Sequence, residues 1–294
     1  MNMPRIAAIL SCFNRKQKTL ACLAALYHQN IFQEIQLDVY LVDDASTDGT
    51  AAAIQQTYPD VKIIPGTGGL FWNGGMHLGF GKAIAVGYDY YLWLNDDTLL
   101  YPTALETLLA TATNLAKKGE RQAIVAGSTC NPETGELTYG GVVHNSWWHP
   151  LKFKCIPPTD TPQRCDTMYG NCVLIPQTVV DQLGNLESEF THYAGDFDYG
   201  LRAYQQDCTV WVAPGYLATC YRNPPEESIW MSQQMSLQER FKKVLQPKGL
   251  PPKESMIFAR RHAGLLWFFY WILPYIRLFF VSTFKSSKKL ETSS

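Results

Sequence analysis

Short apolar runs alternate with helix-like segments through the first third of the chain. The apolar runs lie at 6–11, 37–42, 61–64 and 90–94, and each has the length of a buried strand. Between them, residues 15–29 place apolar side chains at helical spacing, residues 50–57 are also helix-like, and a further helix is expected to end near Gly87. This alternation predicts a doubly wound α/β fold with a mostly parallel central sheet flanked by helices.

The pattern changes after about residue 123. Further strands are predicted at 123–127, 172–175 and 209–212, and helices at 179–183 and from about Asp196. The turn-rich segment between the first two of these strands contains several prolines and the pair Trp147 and Trp148. We expect one domain over 1–222, divided near residue 122, followed by a helical arm over 223–294.

Acidic residues follow two of the predicted strands directly. Asp43 and Asp44 come after the second strand, and Asp96 and Asp97 come after the fourth. Ligands of α/β sheets gather beyond the carboxyl ends of the strands, so both pairs are expected at one site. Carboxylates there can hold Mg²⁺ or Mn²⁺, which neutralises a diphosphate. The structural alternative is that these residues only form turns and helix caps.

Composition and charge exclude several classes of protein. The chain has 294 residues, of which 46% are hydrophobic and 17% charged, and this excludes disorder and a coiled coil. Its 25 basic and 26 acidic residues give a net charge of -1, so nucleic acid is not expected as a partner. The sequence SCFNRKQ after the first strand lacks the glycines of a dinucleotide-binding motif, and no P-loop is present.

Eight cysteines are spread along the chain without a CxxC pair, which argues against a zinc ribbon or a redox motif. The first residues do not have the layout of a signal peptide. We therefore expect a cytoplasmic chain with reduced thiols, most of them buried as small hydrophobic side chains.

Four segments, taken together, resemble a known family. They are IAAILSCFNRKQKTLACLAAL, LVDDASTDGT, LWLNDDT and GDFDYGLRA, and their order and spacing resemble the family 2 glycosyltransferases with a GT-A fold, over roughly residues 5–222. The similarity is greatest to bacterial rhamnosyl- and galactofuranosyl-type transferases of surface polysaccharide assembly. The resemblance implies a nucleotide-sugar-binding half over 1–122 and an acceptor and catalytic half over 123–222.

The resemblance places the donor site in the first half of the chain. Asn95-Asp96-Asp97 stands at the family's DxD position, with Asn95 in place of the first acid. Asp97 is then the expected ligand of a divalent metal, Mg²⁺ or Mn²⁺, and Asp96 is expected to touch the ribose or the sugar. Asp43 and Asp44 match the acids that face the nucleotide base and ribose.

Two further segments complete the implied donor site. Ser11 and Phe13, at the end of the first strand, resemble part of the base-binding wall. The segment GGLFWNGGMHLGF is similar to the loop over the donor diphosphate, with Trp72 and Asn73 near the sugar. The alternative for this segment is an ordinary turn with a buried tryptophan.

Asp196 matches the catalytic acid residue of the family, which would act as the general base. The macrodipole at the start of its helix favours the ionised carboxylate. The family usually has Glu-Asp at this place, whereas this chain has Gly195 before Asp196. Asp198 and Arg202, four residues apart on the same helix, are expected to form a structural ion pair.

The resemblance implies an inverting glycosyltransferase. Its donor would be a pyrimidine nucleotide sugar of the dTDP-rhamnose or UDP-hexose type, and its acceptor a hydroxyl of a glycan or lipid-linked saccharide. One alternative is a nucleotidyltransferase, although the glycines it needs after the first strand are absent. Another is a degenerate, non-catalytic binding or scaffold protein, because Gly195 replaces an acid and Cys220-Tyr221 stands where the family often has a metal-binding histidine.

The aromatic segment 263–284 is flanked by basic residues on both sides. Its uncharged part, 263–276, has 14 residues, fewer than the roughly 20 that a membrane-spanning helix needs. Pro274 and Arg277 interrupt it further. We expect an amphipathic helix that lies peripherally on the inner face of the cell membrane. The alternatives are packing on the catalytic domain or a homodimer interface.

Overall fold

The structure is a computed structural model that describes residues 3–223 and 235–278. Its strands are β1 (Arg5–Cys12), β2 (Gln36–Asp43), β3 (Lys62–Pro65), β4 (Tyr90–Leu94), β5 (Leu99–Leu100), β6 (Ala123–Cys130), β7 (Leu137–Tyr139), β8 (Gly141–His144), β9 (Phe153–Cys155), β10 (Gln163–Cys165), β11 (Thr167–Met168), β12 (Cys172–Pro176) and β13 (Thr209–Thr219). Its helices are α1 (Lys16–Tyr27), α2 (Thr50–Thr57), α3 (Phe71–Val86), α4 (Ala104–Lys117), α5 (Gln177–Leu183), α6 (Gly195–Gln205), α7 (Leu237–Val244) and α8 (Pro252–His262). Residues 267–278 are also helical.

The main sheet has the strand order β10-β13-β6-β12-β4-β1-β2-β3, with β5 and β7 added beside β13 and β6. Strand β1 pairs in parallel with β2 and β4, β2 pairs in parallel with β3, and β6 pairs in parallel with β13. The expected mostly parallel α/β sheet is therefore confirmed. The antiparallel insertion of β12 between β4 and β6 makes the sheet continuous across residue 122.

Helices cover both faces of the sheet because alternate strand residues point to opposite sides. Leu10 packs in the cluster that also contains Leu23 of α1 and Leu108 of α4. Ile9 packs in the opposite cluster, with Phe80 of α3 among its members. The apolar runs at 6–11 and 90–94 thus form strands that are buried on both faces, whereas β3 is only partly buried.

The glycine-rich segment after β3 differs from expectation, because α3 begins inside it at Phe71. Trp72 and Asn73 therefore lie on the first turn of a helix rather than on a loop. The carboxylate of Asp44 accepts the backbone N–H groups of Gly68 at 2.7 Å, Leu70 at 2.9 Å and Phe71 at 3.1 Å. This cap satisfies donors that the start of a helix leaves free, so the helix can begin there.

Glycines within α3 serve close packing against the sheet. A Cβ atom on Gly75 would lie 2.1 Å from the Ser11 hydroxyl, and one on Gly79 would lie 3.0 Å from Ile9. The glycine content that suggested a flexible phosphate loop therefore reflects the near approach of α3 to β1 and β2.

A second, three-stranded sheet with the order β11-β8-β9 lies in the region that the sequence marked only as turn-rich. The hairpin of β8 and β9 carries Trp147 and Trp148 on its connecting loop. Phe153 of β9 packs edge to face on Phe197 of α6, with ring centroids 5.3 Å apart. The hairpin is thereby attached to the helix that contains Asp196.

The C-terminal arm also packs on α6. Phe258 of α8 lies in an apolar cluster with Phe190 and Leu201. Beyond α8, the expected aromatic helix is present at 267–278, and residues 279–284 lie outside the described part. Across residues 3–223 and 235–278, no helix combines the length and apolar character needed to cross a membrane.

Seven of the eight cysteine side chains are buried, and Cys155 is partly exposed. The expectation that most of them act as small buried hydrophobic groups is confirmed.

Candidate active site

The predicted acidic residues lie at the carboxyl ends of β2 and β4, the two parallel strands that flank β1. Asp43 is the last residue of β2, and Asp96 and Asp97 follow the end of β4. Strand β1 lies between β2 and β4, so all three residues sit at one edge of the sheet. This is the edge at which open α/β sheets bind ligands.

Asp43 and Asp44 are both nearly buried and hold the local turns. Asp43 Oδ1 accepts the backbone N–H of Ser46 at 3.1 Å. Both oxygens of Asp44 are used by the backbone before and at the start of α3. The contacts of Asp44 therefore match the alternative given by the sequence, in which these residues form turns and helix caps. Contact with a nucleotide stays a prediction for both residues.

Ser11 and Phe13 flank the same edge. The Ser11 side chain faces Gly75 of α3. Phe13 lies beyond the end of β1 with 51% of its surface exposed. An exposed aromatic ring beside buried carboxylates is suited to stacking on a planar base.

Trp72 and Asn95 are joined directly. The indole N–H of Trp72 donates to Asn95 Oδ1 at 2.6 Å, and its ring packs edge to face on Trp93. This contact brings the first turn of α3 against the end of β4. The indole of Trp72 thus orients the Asn95 side chain, which forms part of the wall of the site.

Asn73 is completely buried. Its amide donates to the carbonyls of Glu187 at 2.9 Å and Phe190 at 2.6 Å. Both amide hydrogens are used within the protein, so the expected donation to a sugar is not available in this conformation. The residue instead fixes the segment that leads into α6.

Arg15 links the two carboxylates that follow β4, a contact that the sequence interpretation did not include. Its Nη1 lies 2.9 Å from Asp96 Oδ1 and 3.0 Å from Asp97 Oδ2, and Lys18 Nζ lies 3.9 Å from Asp97 Oδ2. The signal was present in SCFNRKQK, where basic residues follow β1 at the same sheet edge. Burial raises the pKa of Asp96 to about 6 even though Arg15 opposes this shift.

Cys220, which the resemblance places where the family often has a histidine, contacts Asp97 in the structure. Its thiol donates to Asp97 Oδ1 at 3.7 Å. Burial raises the pKa of Cys220 to about 12, so the side chain is a neutral thiol at physiological pH. Cys220 therefore contacts the carboxylate that is expected to hold the metal.

The carboxylates after β4 have the chemistry of ligands for a divalent cation. Within the described ranges, no group of three or more His, Cys, Asp or Glu side chains is arranged to hold a metal ion. The donor chemistry does fit, because carboxylate oxygens suit Mg²⁺ and Mn²⁺ and these ions commonly take only one or two protein carboxylates plus substrate phosphates. In the same part of the chain, Asp96 Oδ2 is buried without a hydrogen-bond partner. Asp97 and Asp96 are the residues that would hold the ion.

Asp196 lies on the first turn of α6 and is partly exposed. Its Oδ2 accepts the backbone N–H of Gly170, and its Oδ1 accepts that of Phe197, both at 2.8 Å. Burial nevertheless raises the pKa of Asp196 to about 6. With that pKa the carboxyl group is mostly ionised at pH 7, in line with the expectation from the sequence, although the helix start does not cancel the effect of burial.

The segment Gly170-Asn171 joins Asp196 to the strand end that carries Asp97. Gly170 donates to Asp196, while the Asn171 carbonyl accepts the backbone N–H of Asn95 at 3.0 Å. The Asn171 amide also lies 3.7 Å from the Cys220 sulfur, which touches Asp97. Gly170 and Asn171 therefore connect two acidic centres, Asp196 and the pair Asp96 and Asp97, which share one continuous wall.

The fold is that of the GT-A glycosyltransferases. The structure is similar to TarS 1-349 from S. aureus, with a TM-score of 0.53 and 11% identity over 87% of this chain and 69% of that chain. It is also similar to the mannosyltransferase PcManGT from Pyrobaculum calidifontis, solved with GDP-Man and Mn²⁺, with a TM-score of 0.54 and 17% identity over 82% of this chain and 64% of that chain. The GT-A fold expected from the sequence is confirmed.

The chain belongs to glycosyl transferase family 2, whose family model matches residues 7–174. It is similar to the N-acetylglucosaminyl-diphospho-decaprenol L-rhamnosyltransferase of Mycobacterium tuberculosis, in strain CDC 1551 / Oshkosh and in strain ATCC 25618 / H37Rv. Identity to each is 23% over 229 residues, covering 68% of this chain and 69% of the relative. The resemblance seen in the four motifs is confirmed, and the protein is an enzyme of the glycosyltransferase class.

Proposed function

We propose that the protein is an inverting glycosyltransferase that moves a sugar from a pyrimidine nucleoside diphosphate to a hydroxyl group of a glycan or lipid-linked saccharide. The observation that carries this proposal is the wall shared by the two acidic centres. Gly170 donates to Asp196, and Asn171 binds the backbone of Asn95, two residues before Asp97. A donor diphosphate and an acceptor hydroxyl would meet along this wall.

Asp196 would act as the general base. It accepts the proton of the acceptor hydroxyl while that oxygen forms a bond to the anomeric carbon of the donor. The bond from this carbon to the diphosphate oxygen breaks, and the nucleoside diphosphate leaves. A single displacement without a protein nucleophile inverts the anomeric configuration. The two backbone hydrogen bonds to Asp196 hold its carboxylate in place, and a pKa of about 6 suits a base that works near neutral pH.

Arg15 and Lys18 would stabilise the negative charge that develops on the leaving diphosphate. Arg15 uses Nη1 for both carboxylates, and a guanidinium has further N–H groups available for phosphate oxygens. A divalent cation held at Asp97 would add Lewis-acid neutralisation of the same diphosphate. The complex of PcManGT with Mn²⁺ supports a Mg²⁺ or Mn²⁺ requirement in this chain.

The donor base would bind against Phe13, beside Ser11 and Asp43. The exposed ring of Phe13 supports stacking, and a carboxylate such as that of Asp43 can accept the N–H of a pyrimidine. The rhamnosyltransferase relatives and the UDP complex of TarS make dTDP-rhamnose and UDP-hexoses the first donors to test. The relatives' acceptor, a diphospho-decaprenol saccharide, supports a lipid-linked acceptor in surface polysaccharide synthesis and peripheral membrane contact.

The test is a panel of nucleotide sugars with purified full-length protein, read as transfer and as donor hydrolysis, with and without Mn²⁺. We expect Asp196→Asn to reduce transfer by a factor of about 10³ or more, because the base is lost. Donor binding, measured by calorimetry, should survive. Asp60→Asn is the matched control, since Asp60 is exposed in the turn before β3, at the amino ends of the strands.

Two results would contradict the proposal. Transfer by Asp196→Asn at a rate near that of the wild type would remove the base assignment. Binding of a nucleotide sugar without transfer or hydrolysis by the wild type, over the whole panel, would favour the non-catalytic binding protein, in line with Gly195 before Asp196.

A further inference from the structure

Two segments that are distant in sequence meet at the surface. The hydroxyl of Tyr270, on the helical segment 267–278, donates to the carbonyl of Trp148 at 2.5 Å. The ring of His149 lies 4.8 Å from that of Tyr270. The loop of the β8–β9 hairpin and the C-terminal helix therefore form one surface, which we call the aromatic face. Its exposed members are Trp147, Trp148, Leu265, Leu266, Phe268 and Phe269.

The aromatic face is unusually apolar for a surface in contact with water. Trp147 is 97% exposed and Leu265 is 100% exposed, and the other four members are each at least half exposed. Tryptophan is a highly buried residue on average, so a fully exposed indole needs a reason. Contiguous exposed apolar groups of this kind mark a binding surface.

The two sequence segments that form the aromatic face contain basic but no acidic residues. The sequence contains no acidic residue between Glu136 and Asp160, and none between Glu254 and Glu291. The same stretches place the exposed basic residues Lys152, Lys154 and Arg260 on the hairpin and α8. Apolar and aromatic groups on segments that carry basic but no acidic residues are complementary to an anionic lipid surface, because acidic headgroups attract the lysines and arginines.

We propose that the aromatic face is a docking surface for an anionic lipid bilayer, built jointly from the hairpin loop and the C-terminal helix. Trp147 and Trp148 lie at headgroup depth, where the amphipathic indole ring is favoured. Leu265, Leu266 and Phe268 enter the boundary with the acyl chains. The hairpin tip is thus a membrane anchor in addition to the aromatic tail.

The elements that carry the aromatic face also pack on residues near the proposed catalytic base. Phe153 of the hairpin packs on Phe197, which directly follows Asp196. On the other side, Phe258 of α8 packs on Tyr193 at 5.9 Å. Docking would therefore bring the acceptor half of the site close to the bilayer, where the sugar of a lipid-linked acceptor lies. This last step rests on the proposed function.

The test is flotation of the full-length protein with vesicles of phosphatidylcholine and phosphatidylglycerol, compared with vesicles of phosphatidylcholine alone. We expect binding to the anionic vesicles and a roughly tenfold weaker partition for Trp147→Ser/Trp148→Ser, because two apolar anchors are lost. Val86→Ser is the matched control, since Val86 is exposed at the opposite, amino-terminal edge of the sheet. It should float like the wild type.

A second measurement works without polar substitutions. Brominated acyl chains quench tryptophans that enter the bilayer, and Trp147→Phe/Trp148→Phe should lose most of the quenched fluorescence while keeping the fold. Circular dichroism and thermal unfolding of each variant identify any loss of folding.

Two outcomes would overturn the proposal. In the first, the wild type does not float with anionic vesicles. In the second, Trp147→Ser/Trp148→Ser floats as well as the wild type; light scattering that then shows the double variant converting a dimer into a monomer would assign the face to a second copy of the chain. Flotation needs no donor, so a protein that floats but transfers no sugar rejects only the proposed function.

Discussion

Both oxygens of the Asp196 carboxylate accept backbone hydrogen bonds, yet burial raises its pKa to about 6. A general base must be ionised, so kcat/KM for transfer should fall as the pH drops through about 6 and should be level above it. The measurement is a pH profile of kcat/KM at saturating metal.

The contribution of Asp96 to that pH profile must be distinguished from the contribution of Asp196, because burial also raises the pKa of Asp96 to about 6. In the variant Asp96→Asn the decline at low pH should remain. Its disappearance there would show that the titrating group is Asp96 and would contradict the role of Asp196.

Gly195, where the family usually has a glutamate, has a steric explanation. A Cβ atom at this position would lie 1.8 Å from Asn73 Oδ1. We expect Gly195→Ala to lower the free energy of unfolding by about 2 kcal/mol through overpacking. In an Asn73→Ala background the same substitution should cost at least ~1 kcal/mol less, as measured by a double-mutant cycle in urea.

Gly69→Ala serves as the control for that cycle. A Cβ atom on Gly69 meets nothing within 4 Å, so stability should change little. Equal costs of Gly195→Ala in both backgrounds would show that Asn73 does not exclude a side chain at residue 195.

At the scale of elements, α8 is held against α6 by a buried ion network. Asp198 accepts hydrogen bonds from Arg202 at 2.8 Å, Arg261 at 2.7 Å and His262 at 2.9 Å. The i, i+4 pair of Asp198 and Arg202 expected from the sequence is confirmed, whereas the partners from α8 were not predicted. Burial alone would raise the pKa of Asp198, but the hydrogen bond from His262 and the two arginines outweigh it and lower the pKa.

Because that pKa is lowered, the network stabilises the protein above the ordinary pKa of aspartate and loses this contribution as the pH falls below it. Asp198→Asn should therefore reduce the free energy of unfolding at pH 7 by about 3 kcal/mol, since it removes the buried counter-charge of Arg202 and one of the two carboxylate partners of Arg261. The measurement is urea unfolding at several pH values, where the difference from the wild type should shrink in acid.

Glu189→Gln is the control, because Glu189 pairs with Lys253 at 3.0 Å on the exposed surface. Its effect should be under ~1 kcal/mol. If Asp198→Asn lowered the free energy of unfolding by as little as this control, the ion pairs of Asp198 would not stabilise the packing of α8 on α6.

Elements with a strong local signal could be predicted from the sequence, and those defined by distant contacts could not. Tyr90–Leu94 and Thr50–Thr57 have the predicted bounds because their apolar and helix-forming residues act locally. The start of α3 depends on Asp44, more than twenty residues upstream. The small sheet depends on pairings of short strands such as Thr167–Met168, which carry no periodicity of their own.

At the scale of the whole molecule, one sheet runs through both halves of the chain. Because β12 pairs with β4 on one side and β6 on the other, neither half has a complete sheet alone. We expect residues 1–222 to unfold in a single cooperative transition, with tryptophan fluorescence and far-ultraviolet circular dichroism giving the same midpoint in urea. Two separate transitions would instead indicate that the halves fold as independent units.

The position of the candidate site could also be predicted from the sequence, because parallel strands bring their carboxyl ends to one edge and motif order fixes which ends meet. Individual contacts could not. The use of Asn73 by the Glu187 and Phe190 carbonyls, and of Arg15 by Asp96, depends on residues that the chain brings together only after folding.

The bridge from Arg15 to Asp96 and Asp97 has a consequence for the order in which ligands are added. Two neighbouring carboxylates would repel an incoming diphosphate, but Arg15, with Lys18 nearby, offsets their charge in the free protein. Under the proposed function, a nucleotide sugar would therefore meet less repulsion in the free protein, without a cation bound first. We expect nucleotide and cation to bind in either order.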